Sequence, residues 1–457
     1  MNAIIFSAIW GVVMMFSGIF TSRKAVIRNL AIAGVALLLL LNLSEQDHFV
    51  LFHIYLRDML AFDSFGLLFN SVAFGTTLIY LLLNAKDMEA IGANPAEYFA
   101  LLFFVLCGIS IATSFNTLLL LFLGIEIISI PLYILTGSDK KNLKSNEASL
   151  KYFLLGSFST GIMLMGIALI YGATGSFALV NMAKHIEGFA PVLMAGLLLL
   201  FISMCFKVSG APFHFWTPDV YDGAPTVVTS FMATIVKVAV FVSFIRLFDA
   251  AYGATLAQWR VTITFVIAAT LFIGNITAVF QQSVKRMLAY SSISQAGFMF
   301  FALFGYNEFA KEGLILYSAA YSLATIGIFA VLIKMKDYTF NGYNGLAKQQ
   351  PLLAATTAIF LFSLAGIPGS AGFFAKYYML VAAIKNGSYL WLVIFAVLCA
   401  AVSVYYYFRL IQAMYFREGN GQVKEVSTGF KVVLVLLSGL VILLGLFPQL
   451  LTVHLYF

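Results

Sequence analysis

Charge is what this sequence has least of. Asp, Glu, Lys and Arg make up 10% of its 457 residues, against roughly 25% in soluble globular domains, and no stretch is long and polar enough to build a water-soluble domain. Cysteine is scarce as well. Cys107, Cys205 and Cys399 each lie inside an apolar segment, with no C-x-x-C spacing and no histidine beside them. That excludes a disulfide framework, a zinc site and an iron–sulfur cluster, and leaves three small buried hydrophobes. No G-x-G-x-x-G or P-loop follows a strand, because no strand pattern exists. The sequence therefore reveals no metal, redox or nucleotide site of its own.

What the chain has in abundance is apolar length. Hydrophobic residues reach 62%, and runs of about 20 residues, enough to cross a bilayer as a helix, recur from end to end. The expected fold is an all-α polytopic membrane protein, one integral membrane domain over 1–457 with about fourteen spans. Among them are a sixth over 151–172, a seventh over 189–211, an eighth over 226–248 and a twelfth over 351–384. The opening "MNAIIFSAIWGVVMMFSGIF" has no basic n-region and no small-residue cleavage site, so it reads as the first span and not as a removable signal. Starting outside the cell, this layout puts 17 of the 26 basic residues on the cytoplasmic side and 6, Arg57 among them, on the other. Such a bias is the positive-inside pattern, with both termini periplasmic in a bacterial inner (plasma) membrane. The net charge of +7 is then a topological device and not a nucleic-acid footprint.

Four ionisable residues fall inside the spans: Glu126, Lys207, Lys237 and Lys376. Each costs roughly 2.5–3.5 kcal/mol at the bilayer centre, so each needs a reason. Snorkelling is open to Lys207, which lies near a helix end, and hardly to Lys237 or Glu126. A structural ion pair is the second bland reading, although such pairs seldom add stability over an apolar core. The functional reading is a proton relay, in which burial and a movable opposite charge set the protonation of each group.

Two spans are interrupted alike, at "KVSGAPFHFWTPDVYDGAP" and "SLAGIPGSAGFFAKYY", each beside a buried lysine. Irregular backbone at membrane depth persists only under protein or a wet cavity. "FIRLF" and "YFRLI" close corresponding spans, with Arg409 following Arg246 by 163 residues and five spans. An odd number of spans per unit inverts the second unit, so two inverted five-helix repeats are expected, about 95–248 and 260–415, each with a discontinuous helix. His214, seven residues beyond Lys207, reads equally as a proton station or as a histidine that hydrogen-bonds the unwound backbone. His48, His53, His185 and His454 lie near span ends or in loops and receive no role.

The segments "FKVSGAPFHFWTPDVYDGAPTVVTSFMATIVKVAVF", "VKRMLAYSSISQAGF" and "GIPGSAGFFAKYYML" resemble the antiporter-like proton-pumping subunits of respiratory complex I (NADH-quinone oxidoreductase) over nearly the whole chain. A lysine at Lys376, where the M type usually has glutamate, favours the N type; an end soon after fourteen spans argues against the L type. The resemblance implies that Glu126 and Lys207 are the paired groups of the fifth and seventh spans. It makes Lys237 the central relay and Lys376 the control of exchange with the far half-channel and a neighbouring subunit. Gln295 stands where many relatives have a histidine. The resemblance further implies no cofactor in this chain, with NADH, FMN, iron–sulfur clusters and quinone in other subunits, and partners that are the other membrane subunits and the lipid bilayer. Two alternatives remain: a subunit of an Mrp-type cation/proton antiporter, or a non-pumping structural membrane subunit whose lysines only hold the bundle together.

Overall fold

The computed structural model describes residues 1–455 apart from 53, 55–57, 92–93, 186–190, 252–255, 386, 388 and 420. His53 and Arg57 thus lie outside the described residues. In chain order the helices are α1 (Asn2–Phe20), α2 (Lys24–Gln46), α3 (Ser64–Met88), α4 (Pro95–Ser114), α5 (Leu118–Thr136), α6 (Leu143–Thr174) and α7 (Leu179–His185). Then come α8 (Pro191–Lys207), α9 (Trp216–Gly223), α10 (Thr226–Phe231), α11 (Lys237–Ala251), α12 (Leu256–Val279), α13 (Val284–Met299) and α14 (Phe301–Gly305). The last are α15 (Glu308–Lys334), α16 (Leu346–Gln349), α17 (Pro351–Ala365), α18 (Ala371–Ile384), α19 (Leu390–Phe416), α20 (Thr428–Leu446) and α21 (Gln449–Thr452).

Side chains fix many of the starts. Asp63, Thr117, Asn142, Ser283, Asn307 and Ser427 each accept from a backbone N–H of the first turn that follows, meeting donors that a helix leaves unpaired at its start. Among the described residues, twelve helical stretches are long and apolar enough to cross a membrane. The stretches missing from that set coincide with the seventh and twelfth expected spans, whose breaks divide them into α8 with α9 and α17 with α18.

The run from α10 to α11, together with α13 and α15, is enclosed by the rest, while the outer helices present Phe20, Phe158, Phe280, Trp391, Phe416 and Leu436 outward. Large apolar side chains exposed on every flank are what lipid, not water, accepts. Ion pairs Arg28–Glu89 and Lys334–Asp87 gather the start of α2 and the ends of α3 and α15 at one end of the bundle, here called the basic end.

The structure departs from the expected spans in three places. α6 begins at Leu143, about two turns before the expected start, because Asn142 caps it and Glu147 pairs with Lys151 one turn on. A polar helical extension of this kind is invisible to hydropathy. The eighth span is not one regular helix: a π turn, Met232–Val236, lies immediately before Lys237. A short helix, α7, also occupies part of the connection between the sixth and seventh spans.

Both broken helices end in the same local structure. In α8, Ser209 is left-handed (φ 66°), Gly210 N–H donates to the Cys205 carbonyl and Ser209 N–H to that of Phe206. In α17, Gly366 is left-handed (φ 85°), Ile367 N–H donates to Phe362 and Gly366 N–H to Ser363. These are Schellman turns, which close the end of a helix on itself. The first break is sealed further by Trp216 Nε1 donating to the Phe206 carbonyl, Ala211 N–H donating to Thr270, and a Ser209–Thr217 hydroxyl bond. Here protein groups cover the irregular backbone.

Arg246 and Arg409 make matching contacts. Arg246 donates to the carbonyls of Phe115, Thr113 and Ala61 and to Asp63; Arg409 donates to the carbonyls of Val279 and Gln281 and to the Gln282 side chain. Each guanidinium thus collects carbonyls at the C-terminal end of a long helix, α4 or α12, a task that suits a planar five-donor fork. Replacing Arg246 by alanine leaves several acceptors unmatched and is expected to cost roughly 2–4 kcal/mol. Arg246→Lys should recover only part of this. Unfolding temperatures of the purified protein in detergent measure it, and an unchanged midpoint for Arg246→Ala would refute the role.

Candidate functional site

The structure brings Glu126 of α5 and Lys207 of α8 together, with Nζ 3.5 Å from Oε1. Neither makes its best bond to the other. Thr160 of α6 stands between them, donating to Glu126 Oε1 at 2.7 Å and accepting from Lys207 Nζ at 3.3 Å, while Nζ also donates to Ser129 at 3.0 Å. The pair is therefore bridged by a hydroxyl that can shift its proton from one neighbour to the other. Lys207 does not snorkel; its side chain is 8% exposed.

Lys237 lies at the junction of the π turn and α11, 2% exposed. Its ammonium donates to the Ser292 hydroxyl at 3.0 Å and the Ser292 carbonyl at 3.1 Å, and sits 5.7 Å from the Tyr221 ring centre. No carboxylate of the described residues forms an ion pair with it, so its partners are dipoles and a π face. In the π turn, the Ala233 carbonyl accepts from the Tyr321 hydroxyl of α15 at 2.8 Å.

Lys376 of α18 explains the second break. A Schellman turn satisfies the carbonyls of Phe362 and Ser363 and leaves those of Leu364 and Ala365 directed past the helix end. Lys376 Nζ donates to both, at 2.7 and 3.0 Å, with the Phe298 ring 4.8 Å away. A cation at a helix C-terminus also meets the negative end of the macrodipole. Gly366 leaves the lysine stem room: a Cβ there would sit 3.0 Å from Lys376 Cδ.

Gln295 shares a partner with Lys376. Its Nε2 donates to the Leu364 carbonyl at 3.1 Å, the one that Lys376 uses, and to the Tyr407 hydroxyl at 3.2 Å, while its Oε1 accepts from Tyr317. Ser291 bonds Tyr407 in turn. Gln295, Tyr317, Tyr321 and Lys376 line a cavity of about 10 Å³, close to the room one water needs. From Lys237 through Ser292 on α13, then Gln295, to Lys376, polar groups follow one another across the core. Between Lys207 and Lys237 the wall is aromatic: Trp216 stacks on Tyr152 at 4.9 Å and meets Tyr221 edge-on at 6.0 Å.

His214 is not brought to the lysines. Among the described residues it makes no side-chain bond to any of them, and its buried Nδ1 has no partner. Asp219, in α9 just beyond, joins Lys151 at 3.0 Å and Arg286 at 3.1 Å. Burial opposes its charge, but the two cations outweigh that and hold the carboxyl below its ordinary value. Thr160, Ser129, Tyr317 and Tyr407 carried no signal in the sequence, since hydroxyls in membrane helices usually bond back to their own turn; Ser292 lay within "YSSIS" but without a stated role.

Residues 115–403 match the family model described as NADH:quinone oxidoreductase/Mrp antiporter, transmembrane. The chain is 41% identical to an NADH-quinone oxidoreductase subunit N of Cytophaga hutchinsonii, over 99% of this chain and 98% of that protein. A chain in the structure of respiratory complex I from Thermus thermophilus with bound aureothin is 31% identical, with a TM-score of 0.85 over 99% of each chain. A chain of the Mrp complex from a Dietzia species superimposes with a TM-score of 0.88 over 99% of this chain and 95% of its own, at 19% identity, a likeness of fold alone.

Gln295→Leu strands the Tyr317 hydroxyl and removes one donor each from Tyr407 and the Leu364 carbonyl, which keep Ser291 and Lys376, and is expected to destabilise the protein by roughly 1–3 kcal/mol. Gln295→His, which keeps a donor and an acceptor, should lose less. Denaturation in detergent checks both, and a leucine variant as stable as the native protein would remove Gln295 from the network.

Proposed function

The chain belongs to the NADH:quinone oxidoreductase/Mrp antiporter transmembrane family, and from that premise we propose that it is the proton-translocating N-type membrane subunit of an NADH-quinone oxidoreductase. It is a multi-pass protein of the bacterial inner membrane. In this reading the basic end faces the cytoplasm and both termini the periplasm. NADH, FMN, iron–sulfur and quinone chemistry belongs to partner subunits, and redox energy reaches this chain as a rearrangement of its polar groups. Two inverted five-helix units, about 95–248 and 260–415, are supported by the paired Schellman breaks and by the matching contacts of Arg246 and Arg409.

The observation that carries the proposal is the unequal partnering of the lysines. A neutral amine keeps two N–H groups but gains a lone pair that wants a donor. Lys207 and Lys237 are each bonded to hydroxyls, Ser129 and Thr160 or Ser292, which can turn from accepting to donating when the proton leaves. Lys376 is bonded to two carbonyls, which can only accept. Lys207 and Lys237 thus suit transfer in either direction, whereas Lys376 suits holding a proton until α17 and α18 move apart. The Glu126 carboxylate keeps the proton on Lys207 while Thr160 bridges them and lets it go when they separate.

Pull-down of the tagged chain in mild detergent should bring NADH:quinone activity with it. In the reconstituted complex, Lys237→Met should leave electron transfer measurable and lower the ratio of protons to electrons. Ser292→Ala, removing the reversible partner, should lower it less. A stable complex without NADH:quinone activity, and transport that depends on sodium or potassium, would point to the antiporter; an unchanged ratio in Lys237→Met would leave only a structural subunit.

A further inference from the structure

A relay at Lys237 needs a path to water, and the lysine itself is 2% exposed. Between it and the basic end, where α3, α10 and α15 meet, lies a set of buried polar atoms that the protein leaves unpaired. Asn84 of α3 is completely buried, and neither Oδ1 nor Nδ2 has a partner among the described residues. The same holds for the hydroxyls of Ser230 on α10 and of Ser322 on α15. This is not the habit of the bundle: Thr77, Ser318 and Thr234, on or beside the same helices, all bond back to the carbonyl one turn before. Buried polar atoms are almost always satisfied, and where protein supplies no partner, water does.

Lateral ties place Ser230 and Asn84 along one seam of α3, α10 and α15. At its deep end, Tyr321 of α15 donates to the Ala233 carbonyl in the π turn before Lys237. Midway, Tyr80 of α3 donates to the Val227 carbonyl of α10 at 3.0 Å, and its ring meets Phe231 at 5.4 Å. At the basic end, Asp87 of α3 holds Lys334 of α15 at 2.7 Å, with side chains only 18% and 12% exposed. Ser230 lies between the first and second ties, and Asn84 between the second and third. Lys334 in turn lines a groove of about 380 Å³ that also takes in Arg28, Lys86, Glu425 and Ser427, all at the basic end.

We propose that this seam is the hydrated inlet to Lys237, with Asn84 as the residue that holds water at its narrowest part and the Asp87–Lys334 pair at its mouth. The inference rests on the pumping function proposed above. A proton arriving in the groove passes along waters bonded to Asn84 and Ser230. Each water gives one proton onward as it takes one, and the lone pair of a neutral Lys237 receives the last to become ammonium. Asn84 is a positioning residue: it does not titrate, and its amide offers both donors and acceptor to orient water.

The test uses the assembled complex in inside-out vesicles. Asn84→Leu should lower the ratio of protons to electrons by the same step as Lys237→Met while NADH oxidation continues, and Asn84→Ser, which stays polar and leaves more room, should retain pumping. As a readout independent of pumping, Ser230→Cys, in a background with the three native cysteines replaced by alanine, should react with a small charged methanethiosulfonate added at the basic side. It should do so roughly tenfold or more faster than Val331→Cys at a buried apolar position of α15, because access governs thiol reaction. Asn84→Leu pumping as the native protein does, while Lys237→Met fails, would overturn the inlet and leave the function standing. Equal labelling of the two cysteines would also overturn it. Native pumping by both variants would remove the function and the inlet with it.

Discussion

In hydrocarbon a carbonyl without a partner has no water to turn to, and this constraint organises the molecule from its helix ends inward. It is why α8 and α17, which stop inside the bundle, stop in Schellman turns that consume their own last carbonyls. It is also why arginines at 246 and 409 stand over the ends of α4 and α12. The two carbonyls that the turn after α17 cannot reach, those of Leu364 and Ala365, are the ones held by Lys376. A break in a helix and a lysine in a membrane would each be costly alone. Together each supplies what the other lacks.

The same constraint separates the ionisable groups by what they touch. Glu126 and Lys207 oppose one another across Thr160, Lys237 faces a serine, and Lys376 faces backbone. Hydroxyls that can reverse direction accompany the first two lysines, and groups that cannot accompany the third. Gln295 lies one turn along α13 from Ser292, the partner of Lys237, and shares the Leu364 carbonyl with Lys376, yet can carry no proton of its own. A proton crossing there has to move through water or the tyrosine hydroxyls that line the same small cavity.

Much of this was legible in the sequence because membranes punish polarity so evenly. Scarce charge, repeated apolar runs and the basic bias of alternate loops suffice for an all-helical membrane protein, and the Gly- and Pro-rich interruptions mark both broken spans. Glu126, Lys207, Lys237 and Lys376 stand out for the same reason: a charge inside an apolar run is conspicuous whatever surrounds it. The inner limits of α6 and the π turn before Lys237 were not legible. Hydropathy does not distinguish a polar helical turn from a polar loop, nor a five-residue turn from a regular one.

By itself, then, the sequence determined which residues are too polar for their depth and where the chain must stop being helical, because both follow from the cost of placing a group in hydrocarbon. Only the tertiary structure decided how those costs are met. Thr160, Ser292 and Gln295 lie on helices distant in sequence from the lysines they accompany, and the unpaired Asn84 and Ser230 come to one seam only where α3 and α10 are packed against α15. Partnership between side chains is a property of distance in space, and hydrophobic periodicity records which face of a helix is buried but not which helix it meets.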